Sequence, residues 1–201
     1  MDASQLFRPS EIFGFITGVL CVWLGAREKV FAWPIGIANN AIFLAIFWRN
    51  GLYAIAGLQI IYAAISVYGW WNWLHGGTNR SSLPISRASS AVAAWLALAT
   101  VAGAAALFVI LRTWTDSSVP GWDAATTALS IAAQFMLSRK MIENWFVWLG
   151  VDVIYVALAC SKGLYITAAL YLAFMVLCVS GLLHWSRLLR DREAAAVGSP
   201  V

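Results

Sequence analysis

Trp33–Tyr53 reads WPIGIANNAIFLAIFWRNGLY, and Trp145–Tyr165 reads WFVWLGVDVIYVALACSKGLY. Both stretches open on tryptophan and close on Gly-Leu-Tyr, and they lie 112 residues apart. The same separation of 112 pairs Arg27 with Arg139, Ile42 with Ile154, Leu58 with Leu170, Gly69 with Gly181 and Trp73 with Trp185. No gap is needed from Arg27 to Trp73. In a chain this apolar, an internal repeat at fixed spacing predicts two similar helical bundles with a ligand site between them.

The apolarity is plain from composition. Hydrophobic residues make up 62% of the 201, charged residues 11%, and mean hydropathy is +0.78. A soluble globular domain carries about 25% charged residues. A chain of this length cannot hide so much apolar surface from water, so lipid is the expected solvent. Seven stretches are read as spans, at 11–26, 31–48, 52–74, 88–111, 122–138, 144–160 and 164–186. The fold class is all-α, a single polytopic transmembrane domain over 1–201. No cleavable signal peptide is expected, because Met1–Glu11 lacks a basic start. Cys21, Cys160 and Cys178 all lie in apolar runs and read as small hydrophobes, not disulfide partners.

A sequence pI near 9.2 could suggest nucleic acid, but the cations sit in loops and at helix ends. Arg8, Arg49, Arg112 and Lys162 fall on one side of the spans. Arg27, Lys29, Arg80, Arg87, Arg139, Lys140, Arg187, Arg190 and Arg192 fall on the other, nine against four. The positive-inside rule puts the N-terminus outside and the C-terminus in the cytoplasm. Walker A, GxGxxG, HExxH and CxxC patterns do not occur, so nucleotide-driven transport and zinc chemistry lack support. No cofactor, metal or nucleic acid is expected as a partner, and catalysis at His75 or His184 has no acid or nucleophile nearby to support it.

The first repeat is expected over 11–74 and the second over 122–186, with a helix at 88–111 that has no repeat partner. That odd helix separates equivalent spans by an even number of crossings, so the halves point the same way: a parallel 3+1+3 repeat. The polar loop His75–Arg87 precedes the linker helix, 187–201 is the expected cytoplasmic tail, and its part Asp191–Val201, polar and small, reads as frayed.

Ionisable side chains at bilayer depth are rare and mark function. Asp152 lies mid-span between apolar neighbours. It costs about 2.5–3.5 kcal/mol there on insertion scales. A hydrogen bond to a neighbouring helix or a wet cavity would offset that cost. Trp145, Trp148, Asp152 and Tyr155 follow i, i+3, i+7, i+10, a stripe about 80° wide on one helix face. Asn144 begins it. The repeat sets Asn40 against Asp152, with Asn39 adjacent. Gln59, Tyr62, Ser66 and Gly69 form a further stripe, answered by Tyr171, Phe174, Cys178 and Gly181. Ser130 and Gln134 lie on the fifth span. Interhelical hydrogen bonding is the structural alternative for each amide and hydroxyl, and close packing for Gly69 and Gly181. Trp70, Trp71 and Trp73 read as an aromatic belt. Together the aromatic faces, amides and single carboxylate suit a flat-ringed, hydroxyl-bearing ligand, a nucleoside-like vitamin among them.

At these residues the chain resembles the PnuC family of nicotinamide riboside transporters. The matching features are Trp33-Pro34-Ile35-Gly36 with Asn39, Gln59 with Tyr62, and Tyr68-Gly69-Trp70. In the second half they are Glu143-Asn144-Trp145-Phe146-Val147-Trp148 with Asp152, Gly163-Leu164-Tyr165 with Leu170-Tyr171, and Gly181 with Trp185. The resemblance implies a SWEET-like architecture, a homotrimer, and facilitated diffusion of nicotinamide riboside across a bacterial inner membrane for NAD synthesis. A cytoplasmic kinase would trap the vitamin. It implies no enzyme activity. It makes Asn39, Asn40, Gln59, Asn144, Trp145, Trp148 and Asp152 substrate-binding residues, and the stripes add Tyr62, Gln134, Tyr155 and Tyr171. Carriers of similar fold take thiamine or other vitamins, which is the alternative.

Overall fold

The computed structural model describes residues 9–49, 51, 53–115 and 119–197, and these form seven α-helices. Arg8, Leu52 and the last residues of the expected tail, 198–201, lie outside them. The chain divides into two compact units, one ending at Leu83 and the other beginning at Pro84.

The first unit holds α1 (Pro9–Ala26), α2 (Ala32–Arg49) and α3 (Tyr53–His75). Glu28 ends α1 by taking a left-handed φ of 53°. That bends the chain so that Glu28 N–H donates to Gly25 O at 3.0 Å and Lys29 N–H to Leu24 O at 2.8 Å, satisfying carbonyls a helix end leaves open. Gly51 ends α2 in the same way, at φ 73°. The core between α2 and α3 is a tryptophan clamp. Trp33 is 3% exposed and meets Trp73 edge to face, centroids 5.3 Å apart at 85°. Its other neighbour is bare backbone: a Cβ on Gly69 would fall within 2.6 Å of Trp33 Cζ3. Glycine at 69 is therefore what lets α3 approach the indole. Trp70 and Trp71 are exposed, as a belt requires, but Trp73 is 1% exposed and Asn72 6%. The belt reading is corrected at Trp73, whose helix face turns inward.

The second unit begins with an extended strap. Ser86 bridges the α5–α6 turn in parallel fashion, its N–H donating to Lys140 O at 3.0 Å while Ile142 N–H donates to Ser86 O at 3.0 Å. Ile85 is buried beside it. Then follow α4 (Ser90–Trp114), α5 (Pro120–Ser138), α6 (Asn144–Ser161) and α7 (Tyr165–Val197). Ser89 caps α4, its hydroxyl accepting from Val92 N–H at 3.3 Å. Pro120 starts α5, where a missing N–H costs nothing. α4 packs along α5, and none of its side chains is buried within the unit. α7 does not end at 186 or fray from Asp191. It continues as helix to Val197, because Arg, Glu and Ala in Asp191–Ala196 are good helix formers.

The backbone details of the first unit recur 112 residues later. Lys140 has φ 50° where Glu28 has 53°, and Gly163 has 71° where Gly51 has 73°. Met141 N–H donates to Met136 O at 2.9 Å, as Lys29 does to Leu24. Trp145 is 1% exposed and meets Trp185 at 5.3 Å and 83°. A Cβ on Gly181 would fall within 2.6 Å of Trp145 Cζ2.

Among the described residues, Ser90–Trp114, Asn144–Ser161 and Tyr165–Ala195 are each long and apolar enough to cross a membrane alone. Large apolar side chains stay exposed on the remaining helices too, such as Ile60, Ile61 and Val67 on α3. Apolar surface of this extent marks a membrane environment.

Candidate functional site

α6 buries an amide and a carboxylate, Asn144 and Asp152. Its buried face runs through Asn144, Trp145, Val151, Asp152 and Ala159, so the stripe read from the sequence points into the second unit. Asn144 is fully buried. Its Nδ2 donates to Met141 O at 2.6 Å, while Oδ1 finds no donor among the described residues. An unpaired buried acceptor costs about 1–3 kcal/mol. The indole N–H groups of Trp145 and Trp33 are likewise buried without an acceptor among the described residues.

Trp145 is closed into the α6–α7 clamp, whereas Trp148, one turn along, is half-buried. Of the two, Trp148 has the more accessible ring. One further turn along, Asp152 is 4% exposed, and Cys178 Sγ on α7 lies 3.7 Å from its Oδ2. A thiol is a weak donor. Beyond Asp152, Tyr155 stacks on Tyr171 of α7, centroids 4.6 Å apart at 16°, and Phe174 adjoins Tyr171 at 6.2 Å. Thr126 on α5 adjoins the Tyr155 side chain. The second unit thus brings together Asp152, Tyr155 and Tyr171 from the expected set, and adds Thr126 and Cys178 to them. Thr126 escaped the sequence reading. Its signal was the spacing of Thr126, Ser130 and Gln134 at i, i+4, i+8, which places three polar groups on one face of α5. Thr126 and Ser130 are buried and Gln134 half-buried.

In the first unit, Asn39 Nδ2 donates to Thr17 Oγ1, tying α2 to α1. Asn40, Gln59 and Tyr62 are half-buried, and Ser66 is 2% exposed. Gln59 and Tyr62 sit on the α3 face that carries Ser66 and Gly69 inward, since their spacing follows the helix period.

Each unit presents aromatic surface, amides and hydroxyls, and the second adds one carboxylate. Such a lining binds a polar, flat molecule by stacking and hydrogen bonds.

The profile of a family described as "Nicotinamide mononucleotide transporter" matches residues 8–187. A nicotinamide riboside transporter of Escherichia coli, PnuC, is 27% identical, covering 93% of this chain and 89% of that protein. The riboflavin/roseoflavin transporter RibM of Streptomyces davaonensis is also 27% identical, covering 95% and 91%. Among solved structures, the crystal structure of the vitamin B3 transporter PnuC superposes with a TM-score of 0.70 at 19% identity, covering 89% of this chain and 81% of that one. That likeness extends the all-helical architecture seen here to a known fold.

Proposed function

This chain belongs to the nicotinamide mononucleotide transporter family, with the PnuC nicotinamide riboside transporters, and we propose that it carries nicotinamide riboside into a bacterial cell. The observation that carries this reading is the match along nearly the whole chain to transporters named for that vitamin, with most of each relative covered. It is a multi-pass membrane protein. Transport is by facilitated diffusion through the inner membrane, and phosphorylation by a cytoplasmic kinase keeps the product inside. Charge placement supports an external N-terminus and a cytoplasmic C-terminus. The protein assembles as a homotrimer.

The recurrence of turns and clamps at a separation of 112 supports a parallel 3+1+3 repeat of SWEET-like type. Within the second unit, the pyridine ring stacks on Trp148. Trp145 holds that face of α6 against α7. Asn144 Oδ1 accepts from a carboxamide or hydroxyl donor. Asp152, Tyr155 and Tyr171 line the deeper part, and Gln134 adds an amide. Asn39, Asn40, Gln59 and Tyr62 supply the first unit's contribution.

A second reading has its own support in RibM, which is as similar as the Escherichia coli transporter. In it the same scaffold carries riboflavin, thiamine or another nucleoside-like vitamin. Uptake of labelled nicotinamide riboside into proteoliposomes, competed with thiamine, riboflavin and nucleosides, separates the two. Saturable uptake blocked by unlabelled nicotinamide riboside is expected. Transport of thiamine or riboflavin without nicotinamide riboside overturns the first reading.

A further inference from the structure

The two units fill one helix position differently. Position 40 on α2 is asparagine, and position 152 on α6, 112 residues on, is aspartate. The side chains have nearly the same shape and both accept hydrogen bonds, but only a carboxylate carries charge. The neighbouring helices keep a small polar side chain at the matching register, Ser66 on α3 and Cys178 on α7, 2% and 3% exposed. If position 152 served only to bond a neighbouring helix, an amide would do. The charge needs another reason.

A buried carboxylate is costly unless a cation meets it. Asp152 is 4% exposed, and its hydrogen-bond partner among the described residues is the neutral Cys178 thiol. α5 and α6 contain no Lys, Arg or His, and α7 has none before His184. α4 has Arg112, in its last turn. The other acids of these helices are Asp123, in the first turn of α5, and Asp191 and Glu193, near the end of α7. The second unit thus supplies no ion pair to Asp152 among its described residues. One turn along α6, the stacked Tyr155 and Tyr171 offer π surface, which also favours a cation.

We propose that Asp152 is the counter-ion for a ligand with a fixed positive charge, so that this carrier selects cationic rings over neutral rings of the same shape. The proposal rests on the reading above, since the pyridinium ring of nicotinamide riboside is such a cation.

The test uses nicotinamide riboside and its dihydro form, which keeps the substituents and loses the ring charge. Binding of each to the purified full-length protein is measured by calorimetry at fixed salt. Wild type is expected to prefer the charged form by about tenfold or more, the effect of one close, poorly screened charge pair. Asp152→Asn, with thermal unfolding followed in parallel, is expected to bring the two within about twofold, and Asp152→Glu to retain the preference. Equal affinities in wild type overturn the proposal without reference to any variant. So does a preference that survives in a folded Asp152→Asn protein. If wild type binds neither form, the nicotinamide riboside reading fails instead. Thiamine and its neutral thiophene isostere then run the same comparison: a preference for thiamine, lost in Asp152→Asn, upholds the role of Asp152, and no preference overturns it.

Discussion

The turn after α1 and the turn after α5 share a backbone and differ in what is laid upon it. Glu28 and Lys140 both take left-handed φ values, and the residues after them, Lys29 and Met141, donate to the carbonyls of Leu24 and Met136. At the second turn, however, the strap at Ser86 bridges Lys140 and Ile142, and Glu143 Oε2 accepts from Ala88 N–H at 3.1 Å. At the equivalent place in the first unit stands Phe31, 73% exposed. The described residues of the first unit hold no such bridge. The shared backbone shows which features the helix pairs themselves demand: a chain reversal and an indole seat. The strap and the side chains around it answer to something beyond the pair, and that is where the units have diverged.

The sharpest way to break this comparison is to empty the two clamps. Trp33→Ala and Trp145→Ala each remove a buried indole, at a cost of about 3–5 kcal/mol. Similar falls in the thermal midpoint of the detergent-solubilised protein are expected for both. If one variant unfolds near the wild-type temperature, the clamps are not equivalent. Smaller, and confined to one unit, is the effect of Ile85→Ala, which removes the anchor of the strap at about 2–5 kcal/mol. Hydrogen exchange should quicken at the amides of Ser86 and Ile142 while those of Glu28 and Lys29 keep their protection. Equal quickening at both turns would deny the strap a local role. The smallest expected effect is that of Gly51→Ala and Gly163→Ala. A Cβ at either site meets nothing within 4 Å, so the cost is conformational alone, about 1–2 kcal/mol. Matching losses sharpen the comparison. A larger loss at one site would mean that its turn does more than end a helix.

These turns explain what could be read from residues alone. Glycine at 51 and 163, and tryptophan opposite glycine at 33/69 and 145/181, leave a sequence signal because few other side chains satisfy a positive φ or a close backbone approach. The inward stripe of α6 was legible because its spacing follows the helix period. The Cys178–Asp152 and Tyr155–Thr126 contacts were not, since they depend on how neighbouring helices are rotated, which periodicity does not encode. The strap left no mark because Ser86 pairs through backbone atoms, which every residue type but proline shares. The length of α7 was underestimated because its last turns lose their apolar face while keeping helix-forming residues.

The two clamps carry an optical consequence. Each sets two indoles 5.3 Å apart with ring planes nearly perpendicular. Chromophores that close share their excitation, and a fixed, handed pair of them rotates ultraviolet light far more than isolated rings do. The protein therefore contains a built-in label in each half, and its circular dichroism in the indole bands would fade pair by pair as either helix couple comes apart.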